Sequence, residues 1–280
     1  MPMKGLMVMK KKFPVKLIFY IAVVFFSFLY NATLGKVVLG VFILYMLFSN
    51  RNIFYEISAT KAYKNNQLEK ALGLFEKAAK TTQNPRPKIT YGYLLLKTGD
   101  IEKSSQVFKE MIDSDIDIDS KMKAKSNYAL VLWKSGDIDG AINLLEEVLS
   151  EYTSTVVYGS LGYLYILKGD LEKAVEFNEK AYNYNDSDPI ILDNLGNAYY
   201  LAGNLSKSEE MYKELMKLNP QFPEAYYNYS LLLKKLGRFN EALENMKKAD
   251  NFNLSFLSNL TKSDIEKHIK EIEDIIAREQ

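Results

Sequence analysis

Residue types able to do chemistry are scarce in this chain and stand apart from one another. There is no Cys among the 280 residues, and His268 is the single His. That excludes disulfides, thiolate nucleophiles and Cys/His metal sets. His268 has no partner motif for acid-base or metal work, and beside an apolar stripe it reads as a packed or surface side chain. The segment D-S-D-I-D-I-D, Asp113 to Asp119, alternates carboxylates as a calcium loop does. It lacks the turn Gly and the closing Glu of an EF-hand, so a solvated loop is expected. G-D-I-D-G from Gly136 reads as a turn and not as a phosphate cradle. The N-x-S/T triplets at Asn204 and Asn259 carry no glycosylation signal in an Asn-rich domain expected in the cytoplasm. The expectation is a non-catalytic protein with no cofactor, no metal and no small-molecule substrate.

Charge is uneven along the chain although the net value is only +1. Seven of the 36 basic residues and none of the 35 acidic ones precede Ile53, leaving 29 basic against 35 acidic after it. A mildly acidic body argues against nucleic acid, which calls for a basic face. Abundant Lys, Asn, Ile and Tyr fit an AT-rich, bacterial genome.

Residues 1–16 are basic, 17–30 almost wholly apolar, 31–36 a polar break with Gly35, and 37–48 apolar again. One helix over both runs would be roughly 50 Å long against a hydrocarbon core of about 30 Å. A transmembrane helical hairpin over 17–48 is therefore expected, with spans Phe13 to Ala32 and Ala32 to Phe48 and Lys36 snorkelling to the interface. Basic residues on both flanks place both ends, and the rest of the chain, on the cytoplasmic side. Two other readings stay open. A cleaved signal peptide would need a small-x-small site after Tyr30, which is missing. A re-entrant hairpin would suit the short apolar runs.

Beyond the hairpin one unit recurs. Pro189 to Phe222 contains two helical patterns, Leu192, Leu195, Gly196 and Tyr199, then Leu205, Tyr212, Leu215 and Leu218, broken by Gly203 and closed by Pro220. The turn Gly recurs as Gly99, Gly136, Gly169, Gly203 and Gly237, in steps of 37, 33, 34 and 34 residues. A polar residue follows each of them (Asp100, Asp137, Asp170, Asn204, Arg238). A small one stands five positions after (Ser104, Ala141, Ala174, Ser208, Ala242). An upstream copy has Asn66 in place of the Gly, then Ala71, Phe75 and Ala78.

This pattern resembles the tetratricopeptide repeat, a 34-residue helix-turn-helix unit. The resemblance implies an all-α, right-handed solenoid of about six repeats, at 53–84, 85–118, 122–154, 155–188, 189–222 and 223–256. A terminal capping helix over 257–280 would carry the Ile265, Ile269, Ile272 and Ile276 stripe and open on a Ser263 and Glu266 capping box. Repeat four departs by placing Asn178 where an aromatic is usual, which suggests a slightly rotated second helix.

In this family the inner faces of the first helices line a groove for a protein or peptide. Carried over, the groove residues are Tyr93 and Leu96; Asn127, Leu130 and Trp133; Tyr163 and Ile166; Asn194, Asn197 and Tyr200; and Tyr227, Asn228 and Leu231. Rings supply contact area at low entropic cost and amides can pair with a backbone. Some of these residues would instead pack against the next repeat. The family's carboxylate clamp is not expected: Asn197 and Asn228 match its amides, but Asp193 stands where a Lys belongs. The implied function is a membrane-anchored scaffold that recruits a protein partner. A structural subunit held in a membrane complex through its hairpin is the alternative.

Overall fold

The computed structural model describes residues 15–279. Lys4, Lys10, Lys11 and Lys12, expected before the first span, and Phe13, its expected start, lie outside them. Among the described residues the chain is all-helical, with fifteen helices and no strand.

The first two helices, α1 (Val15–Tyr30) and α2 (Ala32–Ser49), form a hairpin. The turn is shorter than the expected 31–36 break. Asn31 alone leaves the helix, and its side chain caps α2 by accepting from the Thr33 and Leu34 amides at 2.8 and 3.1 Å. Gly35 lies inside α2, buried under the Phe28 ring, where a side chain would collide. The tight turn lets the apolar runs pair through Tyr20 with Phe42 and Tyr45, at ring separations of 5.7 and 5.3 Å. α2 spans 18 residues with mean hydropathy 1.9, long and apolar enough to cross a membrane; α1 is apolar over the shorter stretch Ile18–Tyr30. Their outward side chains are exposed, among them Phe26, Leu29, Leu44 and Phe48.

Asn50 alone separates α2 from α3 (Arg51–Lys64), so no flexible linker intervenes. From there helices alternate in antiparallel pairs. α3 is followed by α4 (Leu68–Lys80), α5 (Arg86–Lys97) by α6 (Ile101–Asp113), and α7 (Ile118–Lys134) by α8 (Ile138–Glu151). Then come α9 (Thr155–Lys168) with α10 (Leu171–Tyr184), α11 (Pro189–Leu201) with α12 (Leu205–Lys217), α13 (Pro223–Lys235) with α14 (Phe239–Asp250), and the single α15 (Lys262–Glu279).

The periodic glycines explain the pairing. Gly99, Gly136, Gly169, Gly203 and Gly237 all have positive φ between 76° and 93°, and Asn66 takes the same region at 57°. At five of these six turns the backbone closes as a Schellman motif, for example Asp137 N to Leu132 O at 2.9 Å and Gly136 N to Trp133 O at 2.9 Å. The polar residue after the Gly is the next helix's N-cap. Asp100, Asp137, Asp170 and Asn204 accept from the backbone amide three residues on. Arg238 does not cap, and its guanidinium instead bridges Glu209 and Glu241.

In three of the pairs a Gly on the first helix receives a side chain sixteen positions later. The Phe108 ring covers Gly92 and the Tyr212 ring covers Gly196, so close that a methyl at either Gly would meet the ring at 2.8 or 3.0 Å. Asn178 fills the same slot over Gly162, fully buried and donating to the Gly162 and Ala174 carbonyls at 3.1 and 2.9 Å. The expected rotation of α10 is not found. Ala174, Asn178 and Ala181 are buried at the same offsets as Ser208, Tyr212 and Leu215, and the displaced ring, Phe177, packs on Tyr158 and Tyr165.

Helix α15 closes the C-terminal end by burying Ile265 and Ile272, with Ile269 and Ile276 beside them, against Leu232, Met246 and Ala249. Its cap sits two residues earlier than expected: Thr261 and Asp264 exchange hydrogen bonds, and Ser263 is the second helical residue. Residues 257–261, expected in this helix, are not helical.

Candidate functional site

Four successive first helices converge on one cavity of about 190 Å³. Helix α7 contributes Leu130 and Trp133, α9 contributes Gly159, Ser160, Tyr163 and Leu164, and α11 contributes Ile190, Asp193 and Asn194. Phe222 and Glu224, at the start of α13, complete it. Trp133 and Tyr163 meet edge to face, their centroids 5.4 Å apart at 81°, as aromatic pairs prefer.

A carboxylate lies in the floor of the cavity. Asp193 is buried, and its carboxylate accepts from Asn228 Nδ2 at 3.1 and 3.3 Å. Burial raises its pKa to about 7, the Asn228 hydrogen bond acts against this, and the nearby Glu224 charge adds to it. Burial also pushes the Tyr163 hydroxyl above its ordinary range. Lys134, at the end of α7, has its ammonium 4.4 Å from the Trp133 ring centroid and 5.2 Å from that of Phe256; partial burial lowers its pKa.

The site already holds a piece of the chain. Residues 251–261, between α14 and α15, leave the end of the solenoid as a loop whose neck is closed by Lys262 and Asp250 at 2.9 Å. A turn forms at its tip, with Ser258 N bonded to Ser255 O at 3.0 Å, and it carries Phe256 and Leu257 at the two central positions. The Phe256 ring lies against Gly99, between α5 and α6, while Leu257 lines the cavity and packs on the cluster of Leu96, Phe108 and Val131. Ser258 Oγ donates to Glu224. Asn259 Nδ2 donates to the Tyr163 hydroxyl at 2.6 Å, and Lys134 Nζ donates to Ser258 O and Asn259 Oδ1 at 3.3 and 3.2 Å.

Of the residues expected to line a groove, Leu130, Trp133, Tyr163 and Asn194 meet at this cavity. Leu96 and Ile166 do not line it. They are buried in the core between consecutive repeats, Leu96 with Ala124 and Val131, Ile166 with Ala198. Tyr93 faces a separate cavity of about 300 Å³ between α3 and α5, with Tyr63 and Arg86. Asn127 bonds back to Lys123 O of its own helix at 2.8 Å. Asn194 is buried and spends its amide on Gly159 O at 2.8 Å, and Asn228 spends its own on Asp193, so both tie neighbouring first helices together. Asn197 is half-buried and does not line the cavity. Tyr200 and Leu231 pack on the C-terminal core, and Tyr227 meets His268 of α15 edge to face at 5.4 Å.

Sequence reading missed Phe222, Glu224, Lys134 and the whole 251–261 loop. The signal for the loop was its composition. Asn and Ser alternate with apolar residues there in N-F-N-L-S-F-L-S-N-L-T, without a run of good helix formers.

Tetratricopeptide repeat models match residues 127–189, 191–219 and 211–244, and a PPR repeat model matches 94–116. No curated protein matches the chain in sequence. Among solved structures, it is similar to a tetratricopeptide repeat protein from Parabacteroides merdae, with a TM-score of 0.63 and 13% identity over 91% of this chain and 98% of that one. It is also similar to the APC/C hetero-tetramer Cut9–Hcn1 (TM-score 0.64, 15% identity, 78% of this chain and 42% of that one). A third likeness is to PilF of Pseudomonas aeruginosa (TM-score 0.55, 14% identity, 72% and 91%). At these identities the likenesses establish the fold. The chain carries tetratricopeptide repeats across residues 127–189 and 191–244, within an all-helical solenoid of that type.

Proposed function

We propose that this protein is a membrane-anchored scaffold whose first-helix face captures a protein partner at the cavity around Trp133 and Tyr163. The observation that supports it most is this concave, aromatic site with few, placed polar groups, built by the first helices of four successive pairs. The exposed apolar faces of α1 and α2 support the anchor, since a core helix of a soluble fold would be buried. With basic residues at both flanks, the two helices form a hairpin holding the solenoid on the cytoplasmic side. Catalysis has no part in this reading.

Cross-linking the full chain in native membranes and identifying the adduct by mass spectrometry tests both halves. Trp133→Ala combined with Tyr163→Ala is expected to cut the yield of the main adduct at least tenfold, with helical content preserved. An unchanged adduct would remove the groove from the function. The exposed apolar hairpin also favours a second reading, a structural subunit docked through α2; polar substitutions in Val37 to Phe48 would then abolish the adduct while the groove variant kept it.

A further inference from the structure

The loop at residues 251–261 is longer than its connection requires. Helices α14 and α15 pack directly on each other, and antiparallel neighbours of that kind are usually joined by about 2–8 residues. Here eleven residues leave and return through a neck held by Lys262 and Asp250, the form of an Ω-loop. Its tip is fitted to the candidate site. Leu257 enters the cavity while the Phe256 ring lies outside it over Gly99 and beside Lys134, a hydroxyl meets Glu224, an amide meets Tyr163, and the Ser258 carbonyl meets Lys134. Ser258 and Asn259 thus find complementary groups on α7, α9 and α13.

We propose that this loop is an internal ligand that occupies the site until a partner displaces it, and that the partner presents a β-turn of the same kind. Its two central residues are aromatic then aliphatic, followed by a hydroxyl residue and an Asn. This rests on the reading of the Trp133 and Tyr163 cavity as the capture site. It goes further in naming the shape and chemistry of what is captured and in making capture competitive. A segment tethered this closely competes at an effective concentration of about millimolar, so a free peptide of equal intrinsic fit is held off until the loop is released. Leu257 is the anchor, Phe256 covers the Gly99 turn beside it, and Asn259 sets register through Tyr163.

The test uses the full chain in detergent micelles and a fluorescent synthetic peptide with the sequence of residues 251–261. Phe256→Ser with Leu257→Ser and Asn259→Ala frees the site and is expected to bind the peptide at least tenfold more tightly than the unaltered chain. Adding Trp133→Ala and Tyr163→Ala to the freed chain is expected to abolish that binding. Should the triple variant fold poorly, Asn259→Ala alone, with hydrogen exchange read on amides 254–260, gives the same answer. Saturating peptide is expected to speed their exchange in the unaltered chain, and more so in the variant. Equal peptide affinity in freed and unaltered chains, or exchange that peptide does not move, overturns the proposal. If the freed chain gives no more of the membrane adduct than the unaltered one while the Trp133 and Tyr163 variant loses it, the internal-ligand inference fails and the capture site stands. If that variant leaves the adduct unchanged, the capture site itself has failed.

Discussion

Asp193 shows what a single residue contributes to this site and at what cost. Its carboxylate lies under the cavity with one amide partner, so the folded protein favours the protonated acid and its pKa rises to about 7. The unfolded value is about 3.9. A proton is thus held more tightly by the folded state between these two pH values, and stability from this group is full below about pH 4 and declines as pH rises to about 7. Above that the folded protein carries a buried charge whose hydrogen bond from Asn228 does not make up for its lost hydration. Asp193→Asn keeps an oxygen for Asn228 and cannot ionise. Urea melts should show the variant more stable than the unaltered chain at pH 8, by up to about 4 kcal/mol, and the two converging near pH 4. A parallel pH dependence in both would show that Asp193 is not the titrating group.

At the scale of elements, the sequence made legible whatever depends on one residue at a fixed offset. Turn glycines at positive φ, the caps that follow them and the Gly92 with Phe108 or Gly196 with Tyr212 slots are local events, and their period gave the helix pairs. Where two faces of one helix compete, the pattern did not resolve them. In α5, Leu94, Leu95 and Leu96 are all buried because a first helix packs against its own partner and the next repeat at once, so Leu96 could not be assigned to the groove or the core by spacing. The 251–261 loop was legible only as a stretch poor in helix formers, because its shape is set largely by Tyr163 and Lys134, 96 to 125 positions away. Helix α2 makes the opposite case, since away from its seam with α1 its apolar side chains meet no protein. Val41, near its middle, is 61% exposed. If α2 crosses a bilayer, Val41→Asp should destabilise insertion by about 2.5–3.5 kcal/mol. The chain should then move from the alkaline-washed membrane pellet into the supernatant; an unaltered chain that already washes off would sink the anchor.

Over the whole molecule, the loop changes how the solenoid should unfold. In a repeat array each unit touches only its neighbours, so the ends unfold independently once a middle interface weakens. Here the connection after α14 reaches back to Gly99, Lys134 and Tyr163, and so ties the C-terminal cap to the second, third and fourth helix pairs. Any opening of α5 to α9 must also break contacts with the far end. That coupling predicts a single steep urea transition for the helices from α5 to α15, against the graded unfolding of an unstrapped array. Releasing the loop with Phe256→Ser and Asn259→Ala should lower the apparent m-value and split the transition, with amides of α5 and α6 exchanging faster while those of α14 and α15 keep their protection. The direction matters more than the size. α15 retains its own buried stripe of Ile265 and Ile272 whether or not the loop is seated, whereas the N-terminal pairs lose a distant partner and gain none. Uniform loss of protection along the chain would mean that the loop is an ordinary packing element and that the nearest-neighbour description suffices.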